Sequence, residues 1–136
     1  MITELIELIK KQNEDLKELL MLLELQYKMI MENDVFGLEG LVDKLEQCSK
    51  RIAQEEVQRR QMIGSQSINN FVREMCNDEL THAYNDIQET LKKTSEQKKT
   101  NDILLKQQLL LTNKMIAMMN PNREIKTYNS YGNLSK

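Results

Sequence analysis

The chain has 136 residues with four Gly, one Pro, no Trp and six aromatics (four Tyr, two Phe). Sandwiches, barrels and α/β folds need a turn every ten residues or so, and this sequence lacks the residues that make turns that often. A formal charge of −2 argues against a general nucleic-acid binder, which carries a basic excess.

The first predicted helix runs from about Ile2 to Glu32, with Thr3 or the chain start as a loose N-cap. Ile2, Ile9, Leu16, Leu23 and Ile30 fill one heptad position, while the second position reads Leu5, Gln12, Leu19 and Gln26. Flanking Ile6, Leu20 and Tyr27, with Leu8, Leu22 and Met29 opposite, widen the stripe beyond a two-stranded seam, so this helix is expected to meet two neighbours. Asn33-Asp34, then Gly37 and Gly40, are read as the first turn, with Asp34 as N-cap. The second helix presents Leu38, Leu41, Val42, Leu45, Cys48, Ile52 and Ala53 on one face, and Glu55-Glu56 are placed on its solvated side. Gly64-Ser65-Gln66-Ser67 breaks the pattern, and Ile68–Met75 is a short helix or the start of the next one.

Asp78 is the expected N-cap of a long last helix, about Glu79 to Met119, ended by Asn120-Pro121 because proline disfavours helical geometry before it. Leu80, Tyr84, Ile87 and Leu91 form an ordinary stripe. Lys92–Asp102 then has no apolar residue and reads as a solvated crossing or a hinge. Ile103–Met119 has eleven apolar residues in seventeen. At 100° per residue Leu104, Leu111, Met115 and Met118 share one sector. Leu105, Leu109 and Ile116 share a second, Ile103 with Leu110 a third, and only Lys106, Asn113 and Asn120 keep a polar strip. This excess is covered in the core of a bundle or homodimer, or by an external helical partner; the Met content favours a partner, since thioether side chains repack around varied apolar surfaces. The fold class is therefore all-α: an elongated antiparallel bundle of about three long helices with coiled-coil-like packing over residues 1–120, and a flexible C-terminal tail over 121–136.

Little chemistry is encoded. Glu79-Leu80-Thr81-His82 has the Glu-x-x-His spacing of di-iron bundles, but such a site needs two such motifs and the chain has one His. There is no Gly-rich phosphate loop and no Ser-His-Asp order, so no enzyme activity, catalytic residue, metal or cofactor is expected. Cys48 and Cys76 stand 28 positions apart without a second pair, Cys48 on the apolar face as an inert thiol. No apolar run approaches the ~20 residues that span a bilayer. With no secretory signal and free cysteines, a cytoplasmic location without membrane insertion is expected. In the tail, Thr127-Tyr128-Asn129-Ser130-Tyr131-Gly132 concentrates two of the four Tyr, as an arm folded on the bundle or as a linear motif.

Four stretches resemble the FlgN-type flagellar export chaperones. Asp34-Val35-Phe36-Gly37-Leu38 followed by Lys44 is similar to the family's Asp-x-x-x-Leu start of helix two with its downstream Lys, and Arg59 falls where a helix-two Arg is common. Asn101 with Leu104-Leu105 resembles the Asn-then-Leu-Leu pattern of the last helix, and Tyr128-Asn129-Ser130-Tyr131-Gly132 its terminal Tyr-x-x-x-Gly signature. Gly37 and Gly40 depart from the family's usual helix formers, and Tyr131 adds a second aromatic before Gly132.

The resemblance implies a cytoplasmic helical chaperone that binds the C-terminal helices of hook-associated (hook–filament junction) proteins of FlgK and FlgL type. Such a chaperone keeps its cargo unassembled and delivers it to the cytoplasmic domain of the export gate. Mapped onto this sequence, Leu104, Leu105, Leu109, Leu111, Met115, Ile116, Met118 and Met119 would meet cargo. Tyr128, with Tyr131 and Gly132, would meet the gate. The competing expectation is a structural coiled-coil homo-oligomer or adaptor subunit.

Overall fold

A computed structural model describes residues 1–119. It contains four helices and, among the described residues, no strand: α1 (Ile2–Met31), α2 (Val35–Ile63), α3 (Ile68–Met75) and α4 (Asp78–Met119). Three have 29 residues or more and α3 has eight, so Ile68–Met75 is a separate helix. The chain divides into two units, Met1–Asn101 and Asp102–Lys136. The expected domain boundary at 120/121, with the tail beyond it, lies outside the described residues.

The link from α1 to α2 is shorter than the sequence suggests. Asn33 adopts φ 55° and donates its N–H to the Ile30 carbonyl (3.2 Å), while the Asp34 N–H reaches the Met29 carbonyl (2.9 Å). This paired bonding satisfies two of the carbonyls a helix end orphans. Asp34 then caps α2, its Oδ1 accepting from the Gly37 N–H at 2.9 Å. Gly37 and Gly40 therefore lie inside α2 rather than in the turn. At Gly37 a Cβ would come 2.4 Å from Asp34 Oδ2, so glycine leaves the cap room to close. Gly64 does mark a boundary: it ends α2 at φ 67°, its N–H bonded to the Arg60 carbonyl.

Ser67 caps α3 through its hydroxyl to the Asn70 N–H (3.2 Å). Asn77, not Asp78, supplies the cap of α4: its Oδ1 accepts from the Leu80 N–H at 3.0 Å. Asp78 and Glu79 instead sit in the first turn, where negative charge complements the helix dipole.

In the Met1–Asn101 unit, the α1 heptad position carries the core as expected. Ile9, Leu16, Leu23 and Ile30 are buried, and Ile2 is half-buried. Leu5, Ile6 and Ile9 of α1, Phe71 and Val72 of α3, and Leu80, Ala83, Tyr84 and Ile87 of α4 belong to one apolar cluster. At about 1.5–3 kcal/mol per buried large apolar side chain, this cluster is the main cohesive term for that end of the unit. On α2 the picture is thinner: Leu41 and Cys48 are buried, but Val42 and Ala53 of the expected apolar face are exposed.

Successively later residues of α1 meet successively earlier residues of α2. Gln12 Nε2 donates to the Ile52 carbonyl and to Glu56, and Arg51 pairs with Asp15 and Glu18. Against α4 the order runs the other way, Lys10 with Glu79 and Leu23 with Asn101. The wide stripe of α1 thus serves two neighbours.

Candidate functional site

The residues mapped for partner binding fall in two groups. Tyr128, Tyr131 and Gly132 lie outside the described residues. The other eight lie on α4, in the Asp102–Lys136 unit. There Leu104 and Leu105 are half-buried, while Leu109 is 62% exposed, Leu111 59%, Met115 54%, Ile116 52%, Met118 79% and Met119 76%. Ile103 and Leu110, outside the mapped set, are similarly exposed. The helix does not break before this stretch, since α4 is continuous from Asp78 to Met119. Leu and Met, unbranched at Cβ, sustain a helix without tertiary help better than β-branched residues do, which lets apolar side chains stand exposed on a regular backbone.

Immediately before it, Lys92–Asp102, read as a solvated crossing or a hinge, is continuous helix whose side chains are mostly exposed, with two buried exceptions. Thr94 is 4% exposed and Asn101 is 0% exposed. Thr94 Oγ1 bonds the Thr90 carbonyl at 2.7 Å and Thr90 Oγ1 the Asp86 carbonyl at 3.1 Å, so these hydroxyls are satisfied within α4. Asn101 Nδ2 donates to the Leu23 carbonyl (2.8 Å) and to Gln26 Oε1 (2.9 Å), and its Oδ1 accepts from Gln97 Nε2 (3.0 Å). Asn101 pins α4 to α1 next to the apolar segment, which gives the Asn that precedes Leu104-Leu105 a structural task.

A second polar cluster lies between α1 and α2. Glu55, placed on the solvated face by its sequence context, is 4% exposed. Both its carboxylate oxygens and Asp15 Oδ2 are buried without a hydrogen-bond donor among the described residues. Burial, reinforced by the Asp15 carboxylate beside it, pushes the Glu55 carboxyl up to about 7, against the pull of Lys11 and Arg51. Its neighbour Glu56 behaves oppositely: Arg59 (2.6 Å) and Arg60 (3.1 Å) hold it below the ordinary carboxylate range despite burial. Cys48 is 1% exposed, its Sγ donating to the Asp15 carbonyl at 3.3 Å, and burial first, then Glu18, push the thiol up to about 11. That is the inert buried thiol expected from its place on the helix face.

His82 is exposed and lies 3.4 Å from Asp86, while Glu79 pairs with Lys10. Among the described residues no group of three or more His, Cys, Asp or Glu is arranged to hold a metal ion. No described helix is long and apolar enough to cross a membrane.

The chemistry of the described residues is thus that of helix association: exposed Leu and Met on one long helix, with polar side chains fastening that helix to α1. The FlgN family, described as FlgN protein, matches residues 1–136. The chain belongs to the FlgN family. It is a flagellar export chaperone of a family of chaperones rather than enzymes. No curated protein and no solved structure matches it. Two residues that carried the resemblance have a visible task in this FlgN chain: Asp34 caps α2, and Asn101 joins α4 to α1.

Proposed function

We propose that this FlgN-family chain acts in the cytoplasm and holds the C-terminal helices of hook-associated proteins, of FlgK and FlgL type, against Ile103–Met119. It keeps them from assembling early and passes them to the cytoplasmic domain of the flagellar export gate. The observation that supports this most is the set of large apolar side chains, Leu109 through Met119, that stand more than half exposed on regular helix. Exposed apolar surface of that extent marks an interaction site. An amphipathic cargo helix buries it with anchors at i, i+3, i+4 and i+7. Leu104, Leu105, Leu109, Leu111, Met115, Ile116, Met118 and Met119 are the proposed cargo contacts. Tyr128, with Tyr131 and Gly132, is the proposed gate contact, its ring acting as an anchor in a partner pocket.

Calorimetry with a synthetic C-terminal helix of a hook-associated protein tests the reading. Binding at micromolar concentration is expected, and no binding in that range overturns it. The rival reading, a structural homo-oligomer, covers the same side chains with a second copy. Light scattering showing a tight dimer over a wide concentration range, together with no affinity for the peptide, would establish the rival.

A further inference from the structure

The Met1–Asn101 unit carries a second apolar feature that the proposed cargo surface does not use. Between α1, α2 and α4 lies an open cleft of about 540 Å³. Its apolar lining includes Leu16, Leu19, Ile52, Ile68, Ile87 and Leu91, of which Leu91 is 51% exposed. Along α4 the lining runs from Tyr84 to Lys98, roughly 21 Å at 1.5 Å per residue, the length of about four helical turns. The charged residues that line the cleft are Arg59, Arg60, Lys98 and Glu56, three basic side chains and one acidic, with both arginines paired to Glu56. Glu56 stays ionised between the two arginines, and Arg60 keeps 76% of its side chain exposed.

We propose that this cleft is a docking groove for an amphipathic helix of a partner protein that carries carboxylates beside its apolar stripe, a site separate from Ile103–Met119. Length and lining suit a helix, because side chains four turns apart can be seated along one apolar trough. Charge selects the occupant. The chain's own apolar helix, Ile103–Met119, carries Lys106 and Lys114 and no Asp or Glu. Residues 120–136 carry Arg123, Lys126 and Lys136 against Glu124 alone. Either segment, from this chain or from a second copy, brings positive charge to a positive rim, and like-charge juxtaposition opposes docking. A helix with acidic flanks meets that rim with complementary sign.

Two synthetic helical peptides of about 15 residues with the same Leu stripe, one flanked by Glu and one by Lys, provide the test by fluorescence anisotropy on the full chain. The Glu peptide is expected to bind at least about tenfold tighter than the Lys peptide. Arg60→Glu, at an exposed position, is expected to narrow that preference. Leu91→Glu is expected to weaken the Glu peptide about tenfold or more with helicity unchanged, and the milder Leu91→Ala to weaken it in the same direction. Because Ile103–Met119 can itself take a Leu-striped helix, the comparison is repeated on Leu109→Glu with Met115→Glu, where binding that depends on Leu91 and the preference for the Glu peptide are expected to remain, so failure of one site is distinguishable from failure of the other. Equal affinity for the two peptides, no binding of either, or loss through Leu109 instead of Leu91 would overturn the proposal. So would a dimer that Leu91→Glu converts to monomer, which would assign the groove to a second copy.

Discussion

Asn101 donates its side-chain amide to the main-chain carbonyl of Leu23, 2.8 Å away, at a point where the Asn side chain is fully buried. The two stand 78 positions apart in the chain. A second bond from the same nitrogen to Gln26 and one received from Gln97 leave the amide well satisfied. A buried polar residue at a helix seam fixes register, because sliding either helix leaves the amide unpaired in an apolar setting.

Asn101→Ala is accordingly expected to lower unfolding free energy by about 1–3 kcal/mol, the usual cost of orphaning buried polar partners. Urea denaturation followed by circular dichroism measures it. An unchanged midpoint would mean that water replaces these bonds freely.

Glu55 gives a pH dependence of definite sign. Its carboxyl rises from 4.5 to about 7 on folding, so the native state holds this proton more tightly than the unfolded chain does. Its contribution therefore costs nothing below about pH 4.5, and the penalty grows as pH rises towards 7, where the folded carboxyl ionises beside Asp15. Glu55→Gln removes the penalty. It is expected to raise the melting temperature at pH 8 and to change little near pH 4.5. A lower melting temperature at pH 8 would show that the ionised carboxylate stabilises the α1–α2 pair.

The two thiols are expected to react very differently. Cys48 is buried with its thiol pushed up to about 11, whereas Cys76 is exposed at the end of α3. A thiol-reactive dye should label Cys76 rapidly in the native protein and Cys48 only after denaturation. Two fast equivalents would contradict the packing of Cys48 against Asp15.

Gly37 and Gly40 are three residues apart in one helix, yet alanine is expected to act differently at each. A Cβ at Gly40 meets nothing within 4 Å, so Gly40→Ala should stabilise by roughly 0.5–1 kcal/mol through helix propensity. At Gly37 the Cβ would press on the Asp34 carboxylate and displace the cap, whose loss costs about 0.5–2 kcal/mol. Gly37→Ala should therefore show no such gain in thermal melts. Equal gains at both sites would argue against the Asp34 cap.

The helical class, the α1 heptad and the Asp34 cap were legible in the sequence because residue type and structural role coincide there. Leu80, Ile87, Thr94 and Asn101 show where this coincidence ends. They follow one another at intervals of seven and all are buried, but only the first two are apolar. A reading that tracks apolar side chains loses the seam once Thr and Asn fill it, and so missed the burial of Thr94 and Asn101 within the otherwise exposed Lys92–Asp102. Leu41, Cys48 and Glu55 repeat the lesson on α2. In both helices the signal was the spacing of seven, with polar side chains that find hydrogen-bond partners in the seam or hold their proton more tightly there. Gly37 misled for the opposite reason: it resembles turn chemistry but makes room for a cap. The apolar excess of Ile103–Met119 was legible in full, since surplus Leu and Met leave no polar face broad enough for an ordinary surface helix.

The central claim is that Ile103–Met119 receives a helix from a hook-associated protein, and exposed positions allow it to be tested without disturbing the core. Leu109→Glu with Met115→Glu keeps good helix formers at sites that are 62% and 54% exposed. Calorimetric titration of this variant with a hook-associated C-terminal peptide is the most direct measurement. Binding weakened at least about a hundredfold, with helicity and melting temperature unchanged, is the predicted result, since two anchors contribute about 1.5–3 kcal/mol each when buried. Wild-type affinity in the variant would place the cargo elsewhere and contradict the claim.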